Sequence, residues 1–178
     1  LDCKLVLLEQ LGKNADFEAL PGQLQRLNVD FQALGLDVEM VFVVRPEHEE
    51  RYAAIQVDLV ERGLSGIVRP WQEAAADVDV LLNFRYLLPE HVVRSFQRSA
   101  LIDIDPGLLQ CWIHEGQLAP VSHDIYFSIG ETVGQPGALF PDCGITWNFS
   151  PAVVHLESWP VLAPPASDAP YTTVTNRW

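Results

Sequence analysis

Residues 101–144 read LIDIDPGLLQCWIHEGQLAPVSHDIYFSIGETVGQPGALFPDCG, and the fold turns on this stretch. Leu101-Ile102-Asp103-Ile104-Asp105 is a short apolar run with two aspartates, halted by Pro106-Gly107. A helical stretch follows, then His123-Asp124, a second strand-like run over residues 125–129, and a loop with glycines at 130, 134 and 137. Open α/β sheets build ligand sites where strands run directly into loops carrying glycine and aspartate, at the carboxyl ends of the strands. The stretch therefore predicts both a sheet of this kind and a binding edge on it.

Upstream, the same alternation recurs. Residues 5–8 (LVLL) form a buried-type strand. From Asp16 the apolar residues Phe17, Leu20, Leu24, Leu27, Phe31 and Leu34 recur at three and four, one helix face, with Gly35 as its stop. Residues 38–44 (VEMVFVV) are a β-branched strand. Pro46 opens a second helix whose first turn carries Glu47, Glu49 and Glu50, where the helix dipole favours anions, and Gly63 ends it. A short strand at 66–68, a helical turn at 73–76, a strand at 78–84 (VDVLLNF) and a helix at 89–98 lead into the quoted stretch. Later short strands are expected at 145–147, 153–156 and 171–174. Strands alternating with helices at this spacing predict right-handed crossovers and a Rossmann-like, open, mainly parallel sheet with helices on both faces. Residues 1–150 are read as that domain, and residues 151–178, rich in Pro and Ala, as a peripheral extension or a link toward a second domain.

A chain of 178 residues, 48% apolar and 10% aromatic, is long enough to bury one proper core. Its 11 Lys and Arg lie scattered among 24 acids, and the net charge of −13 argues against a nucleic-acid partner. No window approaches the roughly 18–20 apolar residues of a membrane span. Cys3, Cys111 and Cys143 are odd in number and lack CxxC spacing, so they are read as reduced thiols of a cytoplasmic protein. The chain starts almost inside a strand without an initiator Met, and is expected to be part of something longer.

Strand alternation places Asp103 and Asp105 on one face, as a divalent cation with hard oxygen ligands would require. The same pair suits capping: Asp103 held by a neighbour at the strand end, Asp105 closing the turn before the next helix. Adjacent on an extended segment, His123 and Asp124 point to opposite faces and do not chelate together. His123 is a candidate base or hydroxyl ligand, or a hydrogen-bonded loop histidine. The 130–137 loop (GETVGQPG) matches neither GxGxxG nor a P-loop, yet its glycines permit close backbone approach, and Glu131 is a candidate acid, base or hydroxyl acceptor. Trp112 can stack on a sugar ring or fill core.

Taken in succession, LIDIDPGLLQCW, SHDIYFSIGETVGQPG, PDCGITWNFSPAVVHLESWP and YTTVTNRW resemble a group of poorly characterised bacterial proteins related to the two-domain, GT-B type glycosyltransferases. The resemblance covers roughly residues 78–178 and fits the amino-terminal half of that architecture. It implies an acceptor-side domain, with the nucleotide sugar held mainly by a carboxyl-terminal half that this chain lacks, and no activity for the piece alone. It implies a cleft gathering Asp103, Asp105, Gly107, Gln110, Trp112, Gly130 and Gly134 as substrate-binding residues. The base for the acceptor hydroxyl would be His123, Asp124 or Glu131, with neither metal nor cofactor required, because helix dipoles and backbone N–H groups stabilise the leaving diphosphate. Two other classes compete: a non-catalytic nucleotide- or sugar-binding domain, and a metal-dependent hydrolase using Asp103, Asp105 and His123.

Overall fold

The computed structural model describes residues 4–64 and 68–154, together with 156, 159, 161, 163–164 and 168–170. Strand β1 (Leu5–Gln10) leads to helix α1 (Leu20–Ala33), β2 (Val38–Val43), a single 3-10 turn (Pro46–His48) running into α2 (Glu49–Glu61), and β3 (Val68–Pro70). Then come α3 (Trp71–Asp77), β4 (Leu81–Asn83), α4 (Glu90–Val93), β5 (Ser99–Asp103), α5 (Leu108–His114), β6 (Ile125–Ser128) and β7 (Trp147–Phe149).

Local chemistry explains the boundaries. Asp16 Oδ1 accepts the N–H groups of Glu18 and Ala19 and turns the chain into α1, whose first turn takes Pro21 without loss because its N–H would be free there anyway. Gly35 (φ +69°) and Gly63 (φ +73°) end α1 and α2 in the left-handed region that a side chain would strain.

Every strand pair is parallel. The ladders form one sheet of order β1-β2-β3 and another of order β4-β5-β6-β7. No ladder joins β1 to β4 among the described residues, but side chains join the two sheets. Leu8 of β1 packs with Val43, Leu81, Val92 and Val93, and Glu9 pairs with Arg85 just beyond β4. Set side by side, the orders run 3-2-1 and then 4-5-6-7, the doubly wound arrangement whose switch point lies between β1 and β4. Alternation along β1 sends Leu7 to one face, where α1 and α2 bury Leu24, Met40, Phe42 and Leu59. Leu8 goes to the other, toward α3 and α4. On the second sheet, Leu101 packs with Leu109 of α5, Val133 and Trp147.

The alternation expected from the sequence is the alternation observed, but several elements are shorter. The strand expected at 78–84 is confined to Leu81–Asn83, because among the described residues β4 finds a ladder partner only in Ser99–Leu101 of β5. The helix expected at 89–98 stops at Val93, and the strand expected at 145–147 forms instead at Trp147–Phe149. Val153 and Val154 take no regular structure. Gly66, Ile67, His155, residues 171–174 and Cys3 lie outside the described residues.

Candidate functional site at the carboxyl edge of the second sheet

Asp103 is the last residue of β5 and is fully buried. Its Oδ2 accepts from Gln110 Nε2 at 2.9 Å and Ser128 Oγ at 2.8 Å. Its Oδ1 accepts from the Asp105 N–H at 2.9 Å and the Tyr86 hydroxyl at 3.3 Å. One side chain thus ties β5 to the loop after β4, to the end of β6 and to α5, with every lone-pair direction engaged. Gln110, equally buried, spends its own Oε1 on the Gly107 N–H at 2.6 Å, closing the first turn of α5. Gly107 itself sits at φ +87° with the Phe140 ring against its α-carbon.

Above this buried knot lies the surface. Asp105 is exposed and accepts from the Tyr86 hydroxyl at 3.2 Å, so a single phenolic proton lies between two carboxylates. Burial, reinforced by the negative charge of Asp103, pushes the Tyr86 pKa far above its usual range, and the hydroxyl stays protonated as a donor. Pro106 abuts Gly130, so the loop after β5 and the loop after β6 touch and the exposed Glu131 follows directly. Next door, Arg85 Nη1 meets Glu9 Oε1 at 2.6 Å across the switch point. Gly134 (φ +71°) lies against Trp147, and Trp112 is half-buried on α5.

Asp124 does not join this group, whereas the His123 ring, though it precedes β6, reaches Asn83 at the end of β4, whose Oδ1 accepts the Arg85 N–H at 2.8 Å. Asp124 Oδ2 accepts from the Ser99 N–H at 2.7 Å and Ser99 Oγ at 3.2 Å, at the amino end of β5. His123 is buried with its ring edge-on to Tyr126. Its Nδ1 donates to Val121 O at 2.6 Å, which leaves Nε2 to accept from Asn83 Nδ2 at 3.0 Å. One neutral tautomer satisfies both bonds.

Burial is the main force lowering the His123 pKa below its ordinary value of 6.5. The unfolded chain therefore takes up the proton first. His123's share of stability is complete above about pH 6.5 and is lost as pH falls below it, at no more than about 1.4 kcal/mol per pH unit. Urea titrations between pH 7.5 and 5 are expected to show the gap between the parent and His123→Gln narrowing with acidification. A constant gap would refute this.

Of the residues expected at a site, Asp103, Asp105, Gln110 and Glu131 are brought together here, and Tyr86, Arg85, Asn83 and Ser128 stand with them without having been expected. The available signal was position: Arg85 and Tyr86 follow a strand end and Ser128 closes one, the places where such sheets present ligands. Asp103 and Asp105 do not act as a cation pair, since one is buried on four donors and the other exposed past the strand. No group of three or more His, Cys, Asp or Glu among the described residues is placed to hold a metal. No described helix is long and apolar enough to cross a membrane. Comparison with family models, curated proteins and solved structures finds no match to this chain.

Proposed function

We propose that the carboxyl edge of β4, β5 and β6 receives a hydroxyl-rich ligand, as the acceptor side of a GT-B type glycosyltransferase whose nucleotide-sugar donor is held by a second domain. The observation that carries this reading is the gathering of Tyr86, Asp105 and Glu131 on adjoining loops, braced from below by Asp103. Carboxylates are acceptor-only groups suited to sugar hydroxyls, and a braced site loses little freedom on binding. Of the three bases the resemblance offers, Asp124 is held at the amino end of β5 and His123 has both ring nitrogens engaged, so the exposed Glu131 is the one assigned to the acceptor hydroxyl.

A second reading, a binding domain that performs no chemistry, draws support from His123 and Asp124, whose polar atoms are engaged in holding the fold. The two diverge on Glu131. In titrations of this chain with monosaccharides and nucleosides, Asp105→Asn and Glu131→Gln are each expected to weaken binding about tenfold, as removal of a charged acceptor does. In the chain joined to a donor domain, Glu131→Gln is expected to lower turnover at least about 100-fold if Glu131 is the base. Unchanged binding in both variants would remove the site altogether; weakened binding with intact turnover would remove Glu131 as the base, and binding with no turnover even in the joined parent chain would leave the second reading.

A further inference from the structure

A cavity of about 300 Å³ lies between β1, β2 and α1, walled by Leu7, Leu20, Leu24, Leu27, Met40 and Phe42. Leu24, Met40 and Phe42 belong to the buried core, while Leu27 is 39% exposed and stands with Gln23 at the rim. Gln10 and Gln23 join the apolar walls, and the space is partly open to solvent. This volume falls at the small end of the range for ligand pockets. Glu9 also lines it, and Glu9 is the residue paired with Arg85, which precedes Tyr86 in the chain. The ion pair thus stands between the cavity and the loop that carries Tyr86.

We infer that the ligand is a single-tailed amphiphile. Its hydroxylated head meets the Tyr86–Asp105–Glu131 edge, and one alkyl or aryl tail passes Glu9 into the cavity under α1. This deepens the reading of that edge given above and rests on it. The cavity's size suits one short chain or ring and is too small for a two-chain lipid.

The test is a titration of this chain with n-alkyl β-D-glucosides from methyl to octyl, below their micelle concentrations, followed by amide shifts. Affinity is expected to rise about fourfold for each methylene that enters the cavity and to level off once it is full. Leu27→Trp, made at the exposed rim, is expected to flatten the series while leaving the circular dichroism spectrum unchanged. Leu24→Trp, placed deeper, should do the same. Affinity independent of chain length, or a slope untouched by Leu27→Trp in folded protein, would overturn the inference. So would a concentration-dependent doubling of mass that Leu27→Trp abolishes, which would put a second copy in the cavity. Simple alkanols binding as tightly as the glucosides would keep the cavity as a tail site and discard the hydroxyl edge. Methyl glucoside bound through Asp105 with no gain from longer tails would do the reverse.

Discussion

Asp103→Ala is expected to destabilise the domain by about 4 kcal/mol, because it strands several buried donors at once and each orphaned group costs roughly 1–3 kcal/mol. Gln110 Nε2 and Ser128 Oγ are both fully buried and both donate to the lost Oδ2, while the Asp105 N–H and the Tyr86 hydroxyl lose Oδ1. Native domains are stable by only about 5–15 kcal/mol, so this removes a large fraction of the total. With about 1–3 kcal/mol per molar urea, the unfolding midpoint should fall by roughly 2 M. Asp103→Asn is the informative companion. The Ser128 hydroxyl can rotate to accept from the new amide, whereas Gln110 Nε2 meets another donor, so about half the loss is expected. An Asp103→Ala midpoint within a few tenths of a molar of the parent would mean that water reaches the knot, and the loops above it are not braced as described.

The same residue shows what could be read beforehand and what could not. Short apolar, β-branched runs bounded by turn residues report buried strands, so β1, β2, β5 and β6 stood out in the sequence, as did the turns at Gly35 and Gly63. They carry no information on partners. Nothing in LIDIDPG says that Asp103 receives a glutamine seven residues on and a serine twenty-five residues on, because those donors are brought in by the β5–α5–β6 crossover. His123 stayed open between a base and a hydrogen-bonded loop histidine for the same reason. Only the pairing of β6 with β5 reveals that Asp124 faces Ser99 and that Asn83, forty residues earlier, faces the imidazole. The shortening of β4 is likewise a matter of neighbours: VDVLLNF has strand composition throughout, but a ladder forms only where β5 runs beside it. Burial was thus legible, whereas satisfaction of buried polar groups was not. The candidate edge depends on the latter.

Gly130→Ala is expected to be the most damaging substitution by a single methyl group, about 3 kcal/mol, toward the upper end of what overpacking costs. A Cβ there would sit 2.4 Å from Pro106 Cβ and 2.8 Å from Val133 Cγ2. The proline ring cannot swing aside, so the loop after β5 and the loop after β6 must part. Parting them also lengthens the 3.1 Å bond from the Gly130 N–H to Ser128 Oγ, which is itself engaged with Asp103. Gly22→Ala supplies the opposite case. Gly22 lies in the first turn of α1 with nothing within 4 Å of its added carbon. Restricting the unfolded chain there should stabilise by about 0.5–1 kcal/mol. Thermal unfolding of the two variants against the parent is expected to shift in opposite directions. In sugar titrations, Gly130→Ala alone should weaken binding, because Asp105 and Glu131 flank the seam it opens. A Gly130→Ala protein that melts with the parent and binds as it does would show that the two loops do not touch, and with that contact gone Tyr86, Asp105 and Glu131 would no longer form one edge.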